Sequence, residues 1–386
     1  MPKLNKDDQP DPLLAGLRRE LQKLETQHLK RERRLLESAQ GVEIEVDGQS
    51  LLSFCSNDYL GLANEARVRQ AFKDGVDRYG VGSGASHLVT GHDRAHHALE
   101  EELAAFVGAE RALLFSTGYM ANLGVAGALL DGRGTAFEDK LNHASLIDAA
   151  RLGAAVKRFR HGDLDRLAVL LSDTDGDKLI LTDAVFSMDG DLTPVPQLLA
   201  LCERYDAYLM LDDAHGFGVL GENGRGVLEH FGVTSPRIIY MATLGKAAGV
   251  FGAFVAGGEE LIQTLIQRAR TYIYTTAFPP MLATALLASL HLFREEGWRR
   301  ARLRERVSQL KAHLKTERWK LLPSDTPIQP LIIGGNREAV DVAEALRAEG
   351  ILVPAIRPPT VPRGQARLRI SLSAAHGKDD VRRLCE

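Results

Sequence analysis

From about residue 100 onward, short apolar runs alternate with amphipathic segments, and this alternation limits the possible folds more than any other feature of the chain. The runs read ALLF, LILTD, AYLMLDD, RIIYMAT and AFVAG, and the helical segments between them are typified by HHALEEELAAFVGA. Strands interleaved with helices imply βαβ units, so the expected fold class is α/β, with a mainly parallel central sheet covered by helices on both faces. Ligands of such sheets sit at the carboxyl ends of the strands. Polar residues follow several of the runs directly, so those positions are the first candidates for a site.

At 386 residues the chain has room for one large core and a smaller appended domain. Before the alternation begins, leucines at helical intervals (Leu13, Leu17, Leu21, Leu24) mark an amphipathic helix within residues 12–38, lying on another surface. VEIEVDGQSLLSF then reads as a hairpin turning at Asp47-Gly48. Beyond Pro279-Pro280-Met281 a long helix leads into IQPLIIGG, GILVPAI and ARLRISLS, strands of a separate α+β tail. The expected division is an amino-terminal segment (1–54), a large domain (55–279) and a small α+β domain (280–386).

Charge and composition exclude several classes. A formal charge of −3 gives no basic field for nucleic acid. Cys55, Cys202 and Cys385 show no paired spacing, which argues for a reducing compartment without disulfides or a zinc site. The first twenty residues carry charges where a signal peptide needs an apolar core, and no apolar stretch is long enough to span a membrane. A cytoplasmic protein with neither a nucleic-acid nor a membrane partner is expected. GVGSGASHLVTGHDRAHH lacks the GxGxxG spacing of a dinucleotide loop. Its His92, His96 and His97 have no carboxylate or cysteine at ligand spacing, so no metal is expected.

The positive signals lie at strand ends. In RALLFSTGYMAN a strand runs through Ser116-Thr117-Gly118-Tyr119 into a helix, whose free amides and positive dipole end suit a phosphate; tight packing at the corner would also explain the glycine. In AYLMLDDAHGFG, Asp212 and Asp213 close an apolar strand, with His215 just beyond. Carboxylates there are costly unless a cation or donors meet them, although a capping loop is the plainer reading. RIIYMATLGKAAG supplies the cation: Thr243 and Lys246 among small residues, where a desolvated lysine is a natural Schiff-base former. His143 in KLNHASLIDAARL is either a helix cap or a ring stacked on a flat cofactor. Ser187 ends another strand, before a turn-forming Asp-Gly-Asp. In the tail, AIRPPTVPRGQARLRIS clusters Arg357, Arg363, Arg367 and Arg369 on a proline-stiffened loop and strand, either as solvated edges or as carboxylate readers. A lysine for an aldehyde, an aspartate for a pyridinium nitrogen and a helix terminus for a phosphate together suit pyridoxal 5'-phosphate (PLP).

NDYLGL, STGYMAN, NHASLIDAARL, FSMDGD, DDAHGFGVLG, TLGK and RPPTVPRGQARLRIS, in this order from about residue 25 to the end, resemble the α-oxoamine synthases, PLP enzymes of fold type I. The resemblance implies that Lys246 carries the cofactor and that Asp212 faces its ring nitrogen. It further implies that His215 and Ser187 lie near the ring oxygen, that His143 stacks on the ring, and that Gly118, Tyr119 and Thr243 hold the phosphate. Arg369 would meet the amino-acid carboxylate, and Arg31 and Thr360 the acyl substrate. The loop Ile356 to Pro362 resembles that of members of biotin biosynthesis, which condense L-alanine with a pimeloyl thioester as homodimers. Condensation of glycine with acetyl-CoA is the alternative within the family, and a non-catalytic partner subunit is the alternative outside catalysis; Lys246 speaks against the latter.

Overall fold

The computed structural model describes residues 11–153 and 155–386, which divide into two compact units. The smaller comprises the residues up to Cys55 together with Lys315–Leu322 and Gln329–Ile370, and the larger comprises Ser56–Leu314, Pro323–Ile328 and Ser371–Glu386. This differs from the expected division at 54 and 279. The helix Pro280–Glu295 packs on the helices Ala66–Tyr79 and Arg94–Val107 and so belongs with the large sheet, while the amino-terminal segment joins the tail. Residues 1–10 of that segment lie outside the described residues.

In the smaller unit β1 (Glu43–Val46) and β2 (Gln49–Ser53) form the expected hairpin. Asp47 and Gly48 both have positive φ, 51° and 73°, the conformation that a two-residue turn between twisted strands needs. The preceding helix is shorter than expected. It runs over Pro12–Thr26, none of its residues is buried, and Leu13, Leu17 and Leu21 are exposed. Arg31 and its neighbours follow as irregular chain.

The larger unit contains the sheet that the alternation implied. Its strands are β3 (Arg111–Phe115), β4 (Thr135–Asp139), β5 (Ala155–Phe159), β6 (Lys178–Asp183), β7 (Tyr208–Asp212), β8 (Ile238–Thr243) and β9 (Ala253–Gly257). They lie in the order β3-β9-β8-β7-β6-β4-β5, with β9 alone antiparallel to its neighbours. Its inner strands carry apolar centres because helices cover both faces: Leu181, Leu209, Met210, Leu211 and Phe254 are fully buried. Parallel register aligns the carboxyl ends of β6, β7 and β8, setting Asp183 against Asp212 and Asp212 against Met241.

The tail strands are β10 (Lys320–Leu321), β11 (Ile328–Gly334), β12 (Ile351–Leu352), β13 (Ala355–Ile356) and β14 (Ala366–Ser371). GILVPAI is split at Pro354, which lacks an N–H for a continuous ladder. Its first half, β12, runs parallel to β2, and its second half, β13, pairs with β14. No helix among the described residues is long and apolar enough to cross a membrane.

Candidate active site

The candidate residues of the larger unit gather at the carboxyl ends of β6, β7 and β8. Lys246 lies three residues past β8, half-buried, with its Nζ 3.1 Å from His215 Nε2. Tyr59 Oη lies 2.6 Å from His215 Nδ1 and donates to Asn57 Oδ1 at 3.1 Å. Tyr59 has a single hydroxyl proton and Asn57 Oδ1 can only accept, so His215 Nδ1–H must donate to Tyr59. In the neutral imidazole, Nε2 then accepts from Lys246. The relay thus turns a hydrogen of Lys246 Nζ toward the histidine.

Asp212 is 4% exposed at the end of β7. Its Oδ1 accepts from the Ala214 backbone N–H at 3.1 Å and its Oδ2 from Asn122 Nδ2 at 2.8 Å. Asn122 Nδ2 also donates to Ser145 Oγ at 2.8 Å, and Ser145 Oγ lies 2.7 Å from His143 Nδ1. The Ser145 backbone N–H donates to that same Nδ1 at 3.3 Å, which makes Nδ1 an acceptor and puts the ring proton on Nε2. His143 is therefore the N-cap of the helix Ala144–Ala150, the plainer of its two sequence readings. Its backbone N–H donates to Asp183 Oδ2 at 2.6 Å.

Burial dominates the electrostatics. It pushes the His143 imidazole below its ordinary value; Asp212 pulls it upward, and Lys246 adds to the depression. Asp183 is held well above the usual carboxylate range by burial and then by the neighbouring charge of Asp212. Burial likewise pushes Asp213 up to about 7, despite donation from Val227 N–H at 2.7 Å and Tyr240 Oη at 2.8 Å. Adjacent aspartates thus have different surroundings: Asp212 faces the Asn122 network, and Asp213 is held within the core. Gly216 permits the tight loop, because a Cβ there would lie 2.1 Å from Asp213 Oδ1.

The remaining candidates are more loosely arranged. Gly118 opens the helix Gly118–Leu130, capped by Thr117 Oγ1 accepting from Met120 N–H at 3.1 Å. Thr243 closes β8, and its Oγ1 donates to Gly252 O at 3.1 Å; a Cβ on Gly118 would lie 4.0 Å from Thr243 Cβ, so the two are neighbours. Tyr119 is exposed and donates to Asp148. Ser187 lies in the turn after β6, and Asp191 of the Asp-Gly-Asp turn pairs with His161 Nε2 at 2.7 Å, a structural contact as expected.

In the smaller unit Arg31 Nη2 donates to Thr360 Oγ1 at 3.4 Å, and Arg357 Nη1 donates to His28 O at 2.6 Å. Arg367 and Arg369 are buried on β14 rather than solvated.

Tyr59, Asn122, Ser145 and Asp183 carry this geometry without having been singled out from sequence. Tyr59 and Asn122 lie inside NDYLGL and STGYMAN, and Asp183 ends LILTD as Asp212 ends AYLML, so the strand-end rule would have found it. Asn122 Oδ1 is buried without a hydrogen-bond partner, an acceptor that a bound group with an N–H or O–H donor would satisfy. An amine, a buried carboxylate, a hydroxyl and a helix amino terminus at one sheet edge form a donor set suited to a flat, phosphorylated aldehyde cofactor.

The class I and II aminotransferase family model matches residues 49–386. A serine palmitoyltransferase from S. paucimobilis, solved with a PLP-myriocin aldimine, superposes with a TM-score of 0.91 at 28% identity over 97% of each chain. An 8-amino-7-oxononanoate synthase from Francisella tularensis superposes with a TM-score of 0.75 at 33% identity, over 86% of this chain and 95% of that one. The chain belongs to the class I and II aminotransferases and has the fold of the type I PLP-dependent transferases. Within that family its relatives include 8-amino-7-oxononanoate synthases: that of Nitrosospira multiformis is 61% identical over 96% of this chain and 94% of the relative. That of Methylobacillus flagellatus is 58% identical over 97% and 95%.

Proposed function

We propose that the chain joins L-alanine to a pimeloyl thioester, on CoA or on a carrier protein, releasing the thiol and CO2 and yielding 8-amino-7-oxononanoate for biotin biosynthesis. The observation that carries this reading is the 55 to 61% identity to several enzymes of that name, over at least 95% of this chain. Bound PLP supplies an aldehyde for the amino group and a ring that takes up electrons from the α-carbon.

The chain's own groups do the rest. Lys246 Nζ is the amine that would hold the cofactor aldehyde, and it would act as general base toward the alanine α-proton. His215 holds that amine at 3.1 Å, with Tyr59 fixing its tautomer. Asp212, oriented by Asn122, would pair with the ring nitrogen and favour its protonated form by Coulomb attraction. His143 would stack on the ring, Ser187 and His215 would meet its oxygen, and Gly118, Tyr119 and Thr243 would hold the phosphate. Arg369 pairs with the alanine carboxylate, and Arg31 with Thr360 meets the acyl substrate. The protein acts as a cytoplasmic homodimer, residues near Thr275 and Thr276 reaching the partner's phosphate.

Thiol release is the test. Pimeloyl-CoA with L-alanine should support turnover, and glycine with acetyl-CoA should not. Equal or faster release with the latter pair would overturn the substrate assignment while leaving the family intact.

A further inference from the structure

Outside the candidate active site, five side chains cluster where the π-helical turn His87–Gly91 meets the helix Arg94–Val107: His87, His92, His96, His97 and Glu100. Two triads have ligand atoms within 4.8 Å of one another, His87 with His92 and His96, and His92 with His97 and Glu100. The sequence reading found no carboxylate at ligand spacing, yet Glu100 follows His97 by three residues and therefore shares its helix face.

Hydrogen bonding separates the triads. His96 is fully engaged: its Nε2–H donates to Phe278 O at 2.7 Å and its Nδ1 accepts from Asp93 N–H at 3.0 Å, closing the helix cap. It has no nitrogen to offer, which removes the first triad. In the second, Glu100 Oε1 accepts from Leu114 N–H at 3.0 Å, while Oε2 lies 3.8 Å from His92 Nε2. His92 Nδ1 is held by His87 Nδ1 at 3.0 Å, which leaves Nε2 facing the carboxylate. His92 and Glu100 thus each present one atom with the other anchored behind it, as ligands of a metal site do.

We propose that His92, His97 and Glu100 form a binding site for a divalent transition-metal ion of the zinc class, with His87 and the Leu114 amide anchoring two of the ligands. Two imidazoles and one carboxylate match the donor preference of zinc, and three protein ligands leave a fourth position for water. Bonds of about 2.0 to 2.2 Å set tetrahedral ligands roughly 3.3 to 3.6 Å apart, so closure draws His92 and Glu100 in from 3.8 Å and turns His97 toward them from within 4.8 Å. His97 has that freedom, because its side chain is 46% exposed and paired only loosely with Glu101, at 3.4 Å.

The test is calorimetric titration of the chelator-treated holoprotein with zinc chloride, with metal content measured after gel filtration. One equivalent per chain is expected. His97→Ala and Glu100→Gln should each weaken binding at least about tenfold; glutamine keeps the acceptor for Leu114. His313→Ala, at an exposed histidine elsewhere, should leave affinity unchanged. Metal-free turnover of His97→Ala should equal that of the parent, which separates a lost ligand from a damaged fold. Absence of a saturable site, or parental affinity in His97→Ala, would overturn the proposal.

Discussion

The two ends of the large sheet are made by the same strands and differ in almost every property that matters for chemistry. At the amino ends of β6, β7 and β8 a cavity of about 1150 Å³ opens, lined by Leu129, Asp206, Tyr208, Arg225 and Ile238 among others. Asp206 on its lining is 86% exposed and pairs with the neighbouring Arg237 at 2.8 Å. At the carboxyl ends Asp183, Asp212 and Asp213 are all 4% exposed or less, and each is met by donors or a neighbouring charge. The roomy end is chemically quiet. Desolvation, rather than volume, marks the reactive end, because a buried ionisable group persists only where a network meets it.

That contrast can be broken most sharply at Lys246. Lys246→Ala should lower thiol release at least about 1000-fold, roughly 4 kcal/mol, while leaving the circular dichroism spectrum intact. The parent should be yellow, and borohydride should fix its chromophore on Lys246. Asp212→Asn should cost about 100-fold, roughly 3 kcal/mol, and reduce retention of the yellow colour through dialysis.

Asp213 tests burial without catalysis. Its carboxyl is raised from 3.8 to about 7, so between those values the folded state binds more protons than the unfolded chain. Stability from this group is complete below about pH 4 and is lost as pH rises through about 7. Denaturant titrations should show a decline of about 4 kcal/mol over that window, which Asp213→Asn flattens.

Tyr59→Phe sharpens the comparison within the reactive end. Removing the acceptor of His215 Nδ1–H should lower kcat about tenfold, roughly 1.4 kcal/mol, and displace the pH profile of kcat. A parental profile with less folded protein would reduce Tyr59 to packing. The smallest effect belongs to the other end: Arg237→Ala should change stability by less than about 1 kcal/mol and activity not at all. A loss of turnover there would break the contrast.

Much of the larger unit was legible because its signals are local. The apolar runs of β3, β6, β7, β8 and β9 are recognisable within a few residues, and so are the Asp47-Gly48 turn and the prolines that open the helix Pro280–Glu295. β5 escaped notice because it is an edge strand whose AVKRF is largely exposed, leaving neither an apolar run nor an alternation to read. β4 ends in buried Glu138 and Asp139, charges that look like a loop until Arg158 and His161 are seen beside them. The helix expected within 12–38 stops at Thr26 because leucine spacing establishes a periodicity but not its end.

What the sequence alone determined was the chemistry on offer and its place on the strands: Lys246 after β8, Asp212 at the end of β7, a helix amino terminus at Gly118. Chain order and strand periodicity suffice for that, since both are properties of neighbouring residues. Only the tertiary structure decided which groups meet. Tyr59 reaches His215 across 156 positions and Asn122 reaches Asp212 across 90. Asp183 faces Asp212 through the register of two strands separated by a helix. These contacts orient His215 and Asp212 and, with burial, hold the Asp183 carboxyl above the usual carboxylate range. Hydrogen bonds and desolvation act through space, over a few ångströms that chain distance does not measure.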